Sequence, residues 1–314
     1  MPHLRTNPNP PKPNSMDTLE DLRKKLSGAK DIKSVVRAMK AMAASNIAQY
    51  EAAVSSLGDY YHAVSLGIVA YLMQEKINGL IENEASPKNG EKPVCAIVFG
   101  SDQGLVGRFN NLMTDFVTQS LHTLPGTKEI WVIGDRVKLL LADAGLVAAK
   151  SFAVPNSIDA VTPLIGLILV EIEALIEKQP ETAFYIFHNR PKPDTGYEPV
   201  MQRLLPLDEQ WRHDFTEMKW PTKCIPEIIG KTGAALLALI NAYLFVSLFK
   251  ACVESLASEN ASRLEAMQRA DKNIRDLLDS LGHKFNRLRQ SSIDEELSDV
   301  VSGFEALNAK PGKG

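Results

Sequence analysis

Residues 253–288 read VESLASENASRLEAMQRADKNIRDLLDSLGHKFNRL, and alternating steps of four and three pick out Val253, Ala257, Asn260, Leu264, Met267, Asp271, Ile274, Leu278, Leu281, Phe285 and Leu288. That period marks one face of a helix laid along another helix, a coiled-coil seam with Asn260 and Asp271 as polar interruptions. Beyond Leu288 the stripe slips by one residue to Ile293, Leu297, Val300, Phe304 and Leu307, so the partner surface changes there or the supercoil relaxes. No proline falls between Gly233 and Leu307, and one continuous helix is the simplest reading. At about 1.5 Å per residue it would span on the order of 100 Å. A rod of that length is an axle, a tether or a scaffold, not a core element of a compact enzyme.

Working back from the seam, Ala234 to Phe249 is apolar but for Asn241 and Ser247. Length alone makes this run a marginal membrane span. It opens a helix that continues as an amphipathic rod, without a second span or a flanking basic loop, which favours burial instead. A partner stripe lies at the other end of the chain. From Asp17 to about Met73, Leu19, Leu22, Leu26, Ala29, Val36, Met39, Ala43, Ile47, Tyr50, Val54, Leu57, Tyr61, Val64 and Ile68 share one helical face, with Asp17 or Ser15 placed to cap its start. Two such helices bury their stripes most economically on each other as an antiparallel pair, with the middle of the chain inserted between them.

That middle alternates strand and helix. Val94–Phe99 reads as a strand buried on both faces, followed by helix 109–124, strand 129–133, helix 136–144, a strand near 150–154, helix 157–177 and strand 184–187. The pattern predicts a parallel, Rossmann-like α/β sheet, with a further edge strand at 198–204 after the Pro191, Pro193 and Gly196 turn. The expected organisation is a disordered leader at 1–15, an N-terminal coiled-coil helix at 16–80 and a polar linker at 81–93. An α/β domain at 94–230, the C-terminal coiled-coil helix at 231–307 and a tail at 308–314 complete it. The leader holds five prolines and no apolar core, which excludes a signal peptide.

Composition narrows the function. The 314 residues carry a net charge of −3, which gives no global electrostatic case for nucleic acid. Charge is nonetheless segregated: Arg23, Lys24, Lys25, Lys30, Lys33, Arg37 and Lys40 crowd the early helix, and Asp294, Glu295, Glu296 and Asp299 the late one. Three scattered cysteines, Cys95, Cys224 and Cys252, form neither a disulfide framework nor a metal site, and the six histidines are dispersed. The loop GSDQGLVGRFN at 100–110 leads from a strand into a helix, where backbone donors could cradle a phosphate. Its spacing is neither a dinucleotide fingerprint nor a Walker loop, and a turn whose glycines permit close packing is the preferred reading. No catalytic constellation stands out, and no cofactor or metal is expected.

Three patches resemble the γ subunit of F-type ATP synthases. Residues 32–44, IKSVVRAMKAMAA, are similar to the family's KAM.MVAA stretch; GSDQGLVGRFN is similar to its GSD.GLCG.FN loop, with Val106 where cysteine is common. SENASRLEAM at 258–267, FNRLRQ at 285–290 and SIDEELSDVVSGFEAL at 292–307 resemble its C-terminal patterns. Asp294 in place of threonine, Phe304 in place of a small residue and Asn241 near a usual proline suggest a divergent branch, of which the N-ATPase type is one candidate. The resemblance implies a rotor shaft without catalytic site, turning inside a hexamer of α and β subunits and resting with an ε subunit on a membrane c-ring. The complex would sit peripherally on the cytoplasmic face of a bacterial inner membrane. By position it implies contacts to β subunits through Met39, Lys40, Arg263, Gln290, Asp294 and Glu296, and an apical bearing of Leu297, Val300, Phe304 and Leu307. A nucleotide-binding α/β protein with a coiled-coil dimerisation stalk is the alternative, disfavoured by the missing phosphate-loop lysine. A V- or A-type stalk would lack the inserted domain.

Overall fold

Along Val94–Phe99 (β1) the side chains alternate between two cores: Val94, Ala96 and Val98 face one, and Cys95, Ile97 and Phe99 the other. Both faces are dry, as expected of a central parallel strand. The computed structural model describes residues 18–78, 92–192, 196–206, 220–224 and 232–308. The 1–15 leader, the 81–91 part of the linker, most of 206–230 and the 309–314 part of the tail lie outside the described residues. In chain order the elements are α1 (Leu19–Asn78), β1, α2 (Phe109–Thr123), β2 (Lys128–Ile133), α3 (Asp135–Asp143), β3 (Lys150–Phe152), α4 (Val161–Lys178), β4 (Ala183–Pro191), β5 (Tyr197–Leu205) and α5 (Thr232–Asn308).

The sheet order is β3-β2-β1-β4-β5, parallel throughout except that β5 runs antiparallel to β4. The expectation of a parallel sheet is therefore corrected to a mixed one. The reason is the short link between β4 and β5, closed by Lys192 N–H donating to the Gly196 carbonyl with Gly196 at φ 81°. Such a link can only return the chain alongside itself. The helix read from Ser157 also begins later, at Val161, because Ser157 to Ala160 form a turn with Ala160 N–H on the Ser157 carbonyl.

The chain divides into two compact units, Met39–Met267 and the joined ends Met1–Ala38 with Gln268–Gly314. In the larger unit, α2 and α3 cover one sheet face with Met113, Val117, Leu121, Val137 and Leu141. The opposite face receives α4, through Val161, Ile165, Ile168 and Ile172, together with Tyr50, Val64 and Ile68 of α1 and Tyr243, Leu248, Cys252, Val253 and Leu256 of α5. Here α1 and α5 run in opposite senses, Asn46 meeting Asn260 and Tyr61 meeting Tyr243. The helix containing the apolar run at 234–249 is long and apolar enough to cross a membrane, with 44 % of its most apolar 18 residues buried and Leu237 exposed. In the structure Tyr243, Leu244, Val246 and Leu248 are buried.

In the smaller unit Leu22, Ala29, Val36, Asp271 and Leu281 are buried and Ile274, Leu278, Phe285 and Leu288 half-buried, so the stripe read from sequence is the buried one. The Arg23 guanidinium stands 5.9 Å from the Phe285 ring centroid, while Gly28 to Ile32 share a groove with Ile274 to Lys284, again in opposite senses. Thr18 caps α1; Asp17 and Ser15 lie outside the described residues. Asp21 N–H donates to Thr18 Oγ1 at 3.2 Å and the Asp21 carboxylate accepts from Thr18 N–H and Oγ1 in return, a reciprocal box that needs an acid three residues on. Those hydrogen bonds hold the Asp21 carboxyl below its ordinary range.

Candidate functional site

Helix α5 is buried on every side from Ala251 to Asn260. One face, at Val253, Ala257 and Asn260, belongs to the seam. A second, at the four-residue spacing Lys250, Glu254, Ser258 and Ser262, meets the carboxyl end of the sheet. His188 at the end of β4 lies 2.8 Å from Glu254 through Nε2, Ser258 Oγ donates to the Asn189 carbonyl at 3.0 Å, and Ser262 Oγ donates to the Val106 carbonyl at 2.6 Å. Burial pushes the His188 imidazole below its ordinary pKa against the pull of Glu254, so the ring is neutral and donates Nε2–H. Burial works to raise the Glu254 carboxyl, but the His188 hydrogen bond and the Lys250 and Arg190 charges hold it low and ionised.

The 100–110 loop is built for packing. A Cβ at Gly100 would meet Val137 at 2.2 Å, and Gly107 has φ 56°. Asn110, inside the first turn of α2, accepts from Ser101 N–H and donates to Ser101 Oγ, closing the loop on itself. Asp102 accepts from Asp135 N–H and Val154 N–H, tying the ends of β1, β2 and β3 together. These contacts occupy the Ser101 amide and the Asp102 carboxylate.

Of the residues singled out from sequence, Met39 and Arg263 are brought together as walls of one cavity of about 440 Å³, with Tyr50, Asp102, Gln103 and Glu259. Arg263 is held there by its own helix: Nη2 lies 2.5 Å from Glu259, and Nη1 3.5 Å from Asn260 Oδ1. Burial raises the Glu259 carboxyl, Arg263 opposes that, and Asp102 adds to it. Lys40 is half-buried. In the smaller unit Gln290, Asp294 and Glu296 are exposed, as are Leu297 at 66 %, Val300 at 72 % and Phe304 at 67 %. Leu307 lies on α5 with its side chain outside the described residues. Among the described residues no group of three His, Cys, Asp or Glu is placed to hold a metal ion.

The polar face of α5 is what the seam reading missed. Its signal was present: SLASENAS is too small and too rich in alanine to be a solvated face, and the four-residue period of Lys250, Glu254, Ser258 and Ser262 differs from that of the seam.

Two long helices from the ends of one chain, with a mixed α/β domain inserted between them and a row of exposed apolar side chains near the end of the second, define a protein built around a helix pair. The family model described as ATP synthase matches residues 18–307, and the chain belongs to that family. Its relatives include the ATP synthase gamma chains of Pelagibacter ubique (strain HTCC1062), 29 % identical over 307 residues, and of Sulfurihydrogenibium sp. (strain YO3AOP1), 26 % over 302. The first alignment covers 93 % of this chain and 100 % of the relative, the second 91 % and 97 %. A chain from the Euglena gracilis mitochondrial ATP synthase, in a structure of OSCP, F1 and c-ring, has a TM-score of 0.58 at 16 % identity, covering 94 % of this chain and 97 % of its own. One from the Tetrahymena thermophila central stalk and c-ring has 0.53 at 16 %, covering 75 % and 99 %. These structures share the fold.

Proposed function

We propose that the chain is the central rotor shaft of an F-type ATP synthase, a non-catalytic subunit that carries torque between a membrane c-ring and a catalytic hexamer of α and β subunits. The observation that carries the reading is the exposed row Ile293, Leu297, Val300 and Phe304, on the same helix whose earlier stripe is buried. A helix end with so large an apolar surface in water calls for another protein around it. The names of the relatives and the rotor fold of the neighbours supply the partner. On this reading α1 and α5 form a coiled coil that turns inside the hexamer, and ion flow is coupled to ATP synthesis or hydrolysis. Leu297, Val300, Phe304 and Leu307 are the apical bearing. Met39, Lys40, Arg263, Gln290, Asp294 and Glu296 are the contacts to β subunits, with Arg263 presented in a fixed pose by Glu259 and Asn260.

The α/β domain at 94–230, with the foot of the helix pair and an ε subunit, rests on the c-ring, which places the protein peripherally on the cytoplasmic face of the membrane. Affinity purification of the tagged chain from solubilised membranes is the test. It should bring α, β and c subunits together; recovery of the chain alone, or only with copies of itself, would sink the rotor reading.

A further inference from the structure

The joint between the sheet and α5 is made mostly of small or apolar side chains. Ser258 and Ser262 allow a close approach, and the apolar contacts around them resist separation without fixing position along the helix axis. The directional bonds at Ser258 and Ser262 are hydroxyl to carbonyl. Glu254 is different: its side chain is 9 % exposed and is reached from three sides. His188, 1 % exposed, lies at 2.8 Å and Arg190 at 3.5 Å from the same oxygen, Oε2, and Lys250 at 3.9 Å from Oε1. The Lys250 ammonium is also 5.7 Å from the centroid of the Tyr61 ring on α1. One carboxylate thus joins β4, α5 and, through Lys250, α1.

We propose that His188, Arg190 and Glu254 form an axial clamp that fixes the register of α5 against the end of β4, so that load passes between the α/β domain and the helix pair without slip. A buried carboxylate, even one hydrogen-bonded to a neutral imidazole, is a poor source of stability compared with apolar side chains of the same volume, and the best attested use of such buried polar groups is to specify register. His188 and Glu254 are positioning residues on this account. The proposal rests on the rotor reading, and the two fail separately in the experiment below.

Complexes carrying His188→Ala, His188→Gln, Glu254→Gln or Met113→Ala are reconstituted in vesicles beside the wild type. The ATPase rate in detergent, where no gradient opposes rotation, is compared with ions pumped per ATP against a steady gradient. His188→Ala should keep its unloaded ATPase within about twofold and lose about threefold or more in pumping per ATP. Glu254→Gln keeps the volume and the His188 bond but loses both cations, and should fall by about twofold. His188→Gln, whose amide N–H can reach Glu254, should restore the ratio. Met113→Ala opens a cavity in the core on the other sheet face; it should lower thermal stability and leave the ratio unchanged. Unaltered pumping per ATP in Glu254→Gln, the variant expected to fold whatever His188→Ala does, would overturn the clamp. So would an equal loss in Met113→Ala. A wild-type chain that restores neither ATPase coupling nor pumping to the other subunits would overturn the rotor reading instead.

Discussion

Replacing Asp271 by leucine is expected to make the paired chain ends more stable, although the aspartate is buried at 6 % exposure and ion-paired. Its Oδ2 lies 2.5 Å from the Arg275 guanidinium, but Arg275 is 57 % exposed. Such a pair with a solvated arginine contributes only about 0–1 kcal/mol. The other oxygen, Oδ1, is buried without a hydrogen-bond partner, and an unsatisfied buried acceptor costs about 1–3 kcal/mol. Leucine removes that cost and adds apolar burial of about 1.5–3 kcal/mol, from which about 1–3 kcal/mol is deducted for crowding. Crowding is taken at mid-range, about 2 kcal/mol.

With each contribution at mid-range and the lost ion pair subtracted, the net gain is about 2 kcal/mol, which for a unit of about 60–100 residues raises the melting temperature by about 8–16 °C. Thermal unfolding followed by far-UV circular dichroism reads it, with Asp271→Asn, which keeps the polar group, expected to stay near the wild type. A fall of about 2 °C or more in Asp271→Leu would refute the reasoning, since it would mean that the carboxylate is better satisfied than its hydrogen bonds indicate.

Gly100→Ala should destabilise the larger unit by about 1–3 kcal/mol in urea titration, because its Cβ would collide with the stiff, buried Val137. His188 is neutral when folded and its pKa is depressed, so the stability tied to it is complete above its unfolded pKa of about 6.5 and is lost as pH falls from there toward the folded value. Urea titrations at about pH 7.5 and 5.5 should show that loss in the wild type and a flatter profile in His188→Gln. Removing residues 300–314 should weaken assembly of the complex and leave ATPase partly intact, as expected of a bearing. Gln290→Ala should assemble normally and lower coupled turnover by about tenfold, the effect of one contact of about 1.4 kcal/mol. Steady-state ATPase and ion-pumping assays separate the two.

The seams were legible because burial between two helices imposes a period that the apolar residues must obey. Leu22, Ala29 and Val36, and likewise Val253, Ala257, Asn260 and Met267, fall where the spacing puts them and are buried. Strands β1, β2 and β4 were legible as short apolar runs. Their alternation with helices marks them as parallel, and only the short turn before Tyr197 makes β5 antiparallel. The capping role of Thr18 had its signal in Asp21 three positions on. The His188 and Glu254 pair was out of reach: 66 residues separate them, and neither side chain stands out as buried in a polar neighbourhood. Of the proposed contact residues, Gln290, Asp294 and Glu296 lie on the solvent side that the helical period assigns them. Arg263 is turned into the wall of a cavity by Glu259, a pairing that the four-residue spacing permits but does not require.

The two faces of the sheet close at different moments in the life of the chain. The face packed by α2 and α3 is complete once Phe187 has been made. The other face needs Tyr243 to Ala257, of which the first is made only 52 residues after the end of β4. Until then Cys95, Ile97, Phe99, Trp131, Ile133 and Ile186 have only α4 and the waiting α1 to shelter them. The nascent protein is thus half a sandwich with a greasy side turned to solvent, held open by the order of synthesis itself. A stop codon before the last helix would release a molecule whose sheet is covered on one side and bare on part of the other.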